Sequence, residues 1–196
     1  MIVLALLLAA PDVVVEGALG TLDSAAVQAE VQKSAAAVKA CFDDHAPPRY
    51  VGGAVHVRAR VGKDGKVKKA FVAAGDLGAW EVERCLVKLA RGLSFGRPTG
   101  GEAEVDLPFE FPPQSATADP GEDAGLDGKL GTLRGCGRAG QGTQVTLYVG
   151  AGGKVTSAGF AGDVSEAWGD CAAAKARGWK LADPLGKPKK VVGTLP

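Results

Sequence analysis

Histidine, methionine and aromatic side chains are scarce in this 196-residue chain, which has two His, one Met, six Phe, three Trp and two Tyr. His45 stands beside Asp43 and Asp44 in an expected loop, and His56 falls on the polar face of an expected strand. Such a pair makes no metal centre unless it converges with a carboxylate, so both are read as surface residues. Net charge is also missing. A formal +1 gives no reason to expect nucleic acid or an anionic membrane surface as a partner. There is no Cys-x-x-Cys pair. Ser115, Ser157 and Ser165 sit in no nucleophile-elbow motif, and Gly135 to Gly142 lacks the strand-loop-helix setting of a phosphate cradle, reading instead as a remodelled loop. These absences argue for a protein without catalytic activity, cofactor or metal, and leave an enzyme or metal-binding protein as a distant alternative. The apolar run Met1 to Ala10 is about half of the ~20 residues that a transmembrane helix needs. It fits the apolar region of a secretory signal, although no Lys or Arg precedes it and Leu8-Ala9-Ala10 is a poor cleavage site. The expectation is export, with no membrane span.

What the chain does have is glycine, 29 of them, and an internal repeat. Gly65-Lys66-Val67, Ala70 and Gly75-Asp76 return as Gly153-Lys154-Val155, Ala158 and Gly162-Asp163. Cys85, Ala90-Arg91-Gly92 and Pro98 return as Cys171, Ala176-Arg177-Gly178 and Pro184. The offset is 153 − 65 = 88 at the turn and 171 − 85 = 86 at the cysteine, so about two residues separate the copies' registers. One supersecondary unit has been duplicated.

The division that follows is a signal-like segment 1–16, a first unit 17–112, a linker 113–128 and a degenerate second unit 129–196. In the first unit Asp23 is a helix cap, and Val27, Val31, Val38, Cys41 and Phe42 share a helical face before Pro47-Pro48. Val55, Val57, Ala59 and Val61 then alternate with His56, Arg58 and Arg60, a strand buried on one face. Asp64-Gly65 turns it into a second strand, and Lys63 to Lys69 is a solvated hairpin tip. Val82, Cys85, Leu86, Leu89 and Leu93 line a second helix expected from about Asp76. Ala103 to Phe111 alternates most clearly of all, and Pro108 puts part of that strand at a sheet edge. The linker has no apolar period and is expected to be flexible or loosely packed. In the second unit Leu130-Gly131-Thr132-Leu133 repeats Leu19-Gly20-Thr21-Leu22, but Cys136 follows Leu133 by three residues where Cys41 follows Leu22 by nineteen. Most of one amphipathic helix is gone.

The fold class expected is α+β, two tandem units of a small antiparallel three-stranded sheet with helices packed on one face. The exposed side of the second sheet is left to dock onto the first unit or to receive a partner. Cys41 and Cys85 fall on two helices that cover the same sheet, so a disulfide between them is geometrically reasonable, and the repeat suggests Cys136 with Cys171. Buried free thiols, or a metal or redox site, are the other readings. Trp80, Trp168 and Trp179 are read as core anchors rather than ligand platforms.

Helix, hairpin, helix and strand, in that order, resemble the TonB C-terminal domain superfamily, and more closely the C-terminal domain named for the gliding-motility proteins AgmX and PglI. The residues that carry this are Val38-Lys39-Ala40-Cys41-Phe42, the stretch Val55 to Val67, Val82-Glu83-Arg84-Cys85, Leu93-Ser94-Phe95-Gly96-Arg97-Pro98 and Phe109-Glu110-Phe111. Leu93 departs from the Trp usual before Phe95, and Trp179 restores it in the second copy. The resemblance covers about Gly17 to Phe111 well and the second copy weakly. It implies a periplasmic or otherwise exported module that binds an envelope protein or peptide; the small open sheets make strand addition at an edge the way such a partner would be held. The alternative is a component of a motility or TonB-like energy-transducing complex, whose anchor and long Pro-rich spacer are not seen before Gly17.

Overall fold

The computed structural model describes residues 20–45, 47–115, 117–121 and 125–196. The signal-like segment 1–16 lies outside the described residues. In the first unit, helices α1 (Ser24–Lys33) and α2 (Ala35–Asp43) precede strands β1 (Gly53–Val61) and β2 (Val67–Gly75), helix α3 (Trp80–Gly92) and strand β3 (Ala103–Phe111). The strands lie in the order β2-β1-β3, all antiparallel. The second unit comprises β4 (Asp119–Gly121), α4 (Asp127–Leu130) with a 3-10 stretch Gly131–Cys136, β5 (Gln144–Val149), β6 (Val155–Ala161), α5 (Glu166–Arg177) and β7 (Lys189–Thr194). Its sheet runs β4-β7-β5-β6, with β4 parallel to β7. The architecture is α+β.

The duplication is visible at the level of single hydrogen bonds. Gly62 N–H reaches Lys66 C=O at 2.8 Å, and Gly150 N–H reaches Lys154 C=O at 2.8 Å. Phe95 N–H donates to Gly65 C=O at 3.0 Å, just as Leu181 N–H donates to Gly153 C=O at 2.8 Å. Cys41 is bonded to Cys85 and Cys136 to Cys171, with Cα atoms 5.6 and 5.7 Å apart. Each bridge ties the segment before a hairpin to the helix after it.

Local chemistry explains the elements and where they depart from expectation. Asp23 Oδ1 accepts from Ala25 N–H at 3.0 Å, capping α1. The single first helix expected is broken at Ser34, whose hydroxyl donates to Glu30 C=O at 3.1 Å and competes with helical pairing. Helix α3 starts at Trp80, not near Asp76, because Asp76 is engaged by Ala54 N–H and Lys190 instead. In the second unit, α4 and the 3-10 stretch stand where the first helix is missing, and bury Leu126, Leu130 and Leu133. The linker is less loose than its composition suggests. Asp119–Gly121 adds a fourth strand to the expected three by pairing along β7, and Leu126 is buried in the second core.

The two sheets differ in their second faces. Sheet one buries Val55, Val57, Ala59 and Val61 under its helices and leaves His56 and Arg60 exposed. Strand β5 is buried on both faces, with Val145, Leu147 and Val149 toward α5 and Thr146 and Tyr148 toward the first unit. The side of the second sheet left open by the sequence therefore docks onto the first copy. The cores exchange aromatic residues there. Trp80 of α3 sits in the second core against Phe160, ring centroids 5.9 Å apart, and its indole N–H donates to Asp170 at 2.7 Å. Tyr148 enters the first core, where its hydroxyl donates to Gly52 C=O at 2.7 Å and accepts from Gly52 N–H at 3.1 Å. Ion pairs Glu81 with Arg177, Arg84 with Asp170 and Lys88 with Glu166 run α3 antiparallel to α5.

Trp80 meets the backbone of α5 at Gly169, where a Cβ would lie 2.0 Å from the indole. Trp80→Ala is expected to cost about 3–5 kcal/mol. Gly169→Ala, by expelling the same ring, should cost at least ~1–3 kcal/mol. Denaturant unfolding with both disulfides intact measures each; a change confined to the surface-substitution range would show that the exchange does not hold the units together.

Candidate functional site

A strand edge carries alternate N–H and C=O groups that seek a partner, so each edge of the two sheets is a candidate for recognition. Three are stopped from within the chain. On β2, Val72 C=O accepts from Gly162 N–H at 2.7 Å and Ala70 C=O from the Arg91 guanidinium at 3.3 Å. On β6, Phe160 N–H donates to Glu83 Oε2 at 2.8 Å. The fourth strand of the second sheet, β4, is only three residues long and includes Pro120.

The edge of β3 is different. It is nine residues long and pairs with β1 alone among the described strands. Its polarity can be worked out. Ala54 N–H donates to Asp76 Oδ1 and Ala54 C=O accepts from Asp76 N–H, each at 2.9 Å and both on the β2 side, so Gly53, Val55, Val57, Ala59 and Val61 turn their backbone groups toward β3. In the observed register these face Phe111, Phe109, Leu107, Val105 and Ala103. Glu104, Asp106, Pro108 and Glu110 therefore point their backbone outward. Pro108, which has no N–H to lose, occupies an outward position. The same residues place their side chains on the open face, while Val105, Leu107 and Phe109 are buried beneath. The result is a ready ladder for an extended segment, edged with carboxylates.

Glu83 caps the edge of β6 where the two units meet. Its side chain is 3% exposed, and Oε1 accepts from Gly78 N–H at 3.1 Å and Ala79 N–H at 3.2 Å. Burial pushes its carboxyl up from 4.5 to about 7, opposed by the three backbone N–H groups. A Cβ on Gly159 would lie 2.1 Å from Glu83 Oε1, so the close approach of α3 to β6 requires that glycine. Nearby, Lys190 donates to Asp76 at 2.7 Å and to Gly52 C=O at 3.0 Å. Desolvation opposes ionisation of Asp76, but bonds from Lys190 and Ala54 outweigh it and hold its carboxyl below the usual range.

The residues singled out in the sequence fall in several places. All four cysteines are in the two bridges. Trp168 and Trp179 lie in the second core with Trp80. His45 and His56 are exposed, and no group of three His, Cys, Asp or Glu among the described residues is placed to hold a metal. A shallow cleft, open to solvent, lies over Phe71, Val87 and Phe160, with Arg84 and Glu166 at its rim already ion-paired. Glu83, Tyr148 and Lys190 were not singled out. Glu83 had a signal, since it stands three residues from both Trp80 and Leu86 on the buried stripe of its helix. No protein-family model, curated protein or solved structure matches the chain.

The folded chain holds a proton on Glu83 more tightly than the unfolded chain does. The stability this contributes is full below about pH 4.5 and is lost as pH rises through about 7. Asp76, with its lowered value, works in the opposite sense, and only in acid. Thermal melts are thus expected to show stability falling between pH 5 and 8. Glu83→Gln should flatten that slope. It should also lower stability by ~1–3 kcal/mol, because the carboxamide sets a donor against one of the three N–H groups.

Proposed function

We propose that this protein is a non-enzymatic binding or scaffolding module of the cell envelope that takes an extended protein or peptide segment onto the outer edge of β3. The observation that carries this reading is the contrast among edges. β2, β6 and β4 are capped or short, whereas β3 is nine residues long and turns the backbone of Glu104, Asp106, Pro108 and Glu110 outward. Main-chain pairing supplies affinity in such complexes and alternate side chains supply specificity. The resemblance of residues 17–111 to the TonB C-terminal and AgmX/PglI domains supports the same use. Two disulfides fit an oxidising compartment, and no helix among the described residues is long and apolar enough to cross a membrane, which is compatible with an exported protein.

A photo-cross-linking amino acid placed at Glu104 or Glu110 is expected to trap the partner in cells. One at Thr156, on the docked side of the second sheet and hydrogen-bonded to Tyr50, should trap little. Cross-links that arise chiefly from Thr156, or equally from every position, would sink the β3 reading.

A further inference from the structure

We infer that the segment received by β3 is basic, an extended peptide with Lys or Arg at alternate positions on one face; this rests on β3 being the receiving edge. Glu102, Glu104, Asp106 and Glu110 stand on the open face along β3, with no cation among the residues from Glu102 to Phe111. Two of the four are neutralised from the β1 side. The Arg58 guanidinium grips Asp106 through two bonds of 2.8 Å, and Arg60 lies 3.4 Å from Glu102. Glu104 and Glu110 make no ion pair or side-chain hydrogen bond with any described residue. Lys69, the cation of β2 on this face, is across the sheet and paired with Asp163.

These are also the residues whose backbone faces outward. An added strand therefore places its own side chains directly opposite Glu104 and Glu110, with Cβ atoms about 4.5–5.5 Å apart; Glu104 then stands between that strand and Arg60, its partner across the sheet, whose guanidinium turns to Glu102. Glu104 and Glu110 are six residues apart, or ~20 Å along a strand. That spacing asks for cations at i and i+6 of the partner, on the same face. A like-charged segment would meet repulsion at both points. Pro108, lacking an N–H, leaves a gap in the ladder between Asp106 and Glu110, so side-chain pairing there carries more of the recognition.

The test uses the full oxidised chain and three ten-residue peptides in which Val alternates with Lys, with Ser or with Glu. Affinity is read by fluorescence anisotropy at low and high salt, and the site by amide hydrogen exchange at Glu104, Asp106 and Glu110. The Lys peptide is expected to bind about 2- to 30-fold more tightly than the Ser peptide at low salt, from two charge pairs. It should also slow exchange at those three amides. Glu104→Lys with Glu110→Lys, both on an exposed face, should invert the preference in favour of the Glu peptide, with a melt confirming that the variant is folded. Equal binding of all three peptides at the same amides would overturn the basic preference and leave the edge reading intact. Amides already protected in the protein alone, or unchanged by every peptide, would overturn both. A Lys peptide that binds without protecting β3 would show charge adhesion elsewhere and overturn the inference.

Discussion

The carboxylate of Glu83 terminates two stretches of backbone at once, the approach to α3 at Gly78 and Ala79 and the outer edge of β6 at Phe160. A buried charge of this kind is expensive unless its oxygens are filled, and three N–H groups fill them. Because α3 belongs to the first unit and β6 to the second, the same contact fixes how the units meet. The placement of Trp80 in the second core follows from it, since Trp80 and Glu83 lie on one face of α3. So does the use of Gly159 and Gly169, at the points where α3 comes closest to the strand and helix of the other copy. With β6 capped, β3 is the long edge without a second partner among the described strands.

The loss of a helix from the second copy makes physical sense in this setting. In the first copy α1 and α2 cover one face of a sheet whose other face is wet and charged. In the second, both faces of β5 are dry. Helix α5 covers one together with Leu126, Leu130 and Leu133, and the first unit covers the other. A shared layer stands where the first copy has one of its own.

Much of this was legible in the sequence. The period-two alternation of Val55 to Val61 and of Ala103 to Phe111 marked strands with one wet face. The recurrence of the Gly-Lys-Val turn marked two copies of one unit. The run Val145-Thr146-Leu147-Tyr148-Val149, with almost no charged or strongly polar break, is the pattern of a strand buried on both faces, a signal of docking, although the expectation of docking rests only on the missing helix. Three features were not legible. The break at Ser34 depends on one hydroxyl bond that competes with the helix. The strand at Asp119 exists because β7 presents an edge to it, which a Pro- and Gly-rich segment does not advertise. Pro108 marked β3 as an edge strand, but which of its residues turn their backbone outward is a parity fixed by Ala54 and Asp76 and invisible without register.

The two cystines join consecutive pairs of cysteines, Cys41 with Cys85 and Cys136 with Cys171, and neither is nested within the other nor crosses the junction. A chain that emerges from its N-terminus into an oxidising space presents the first pair before the second has appeared. Each thiol's correct partner is then the next one delivered. Oxidation can proceed in the order of synthesis, and the junction between units, which no disulfide crosses, is left to packing, hydrogen bonds and ion pairs.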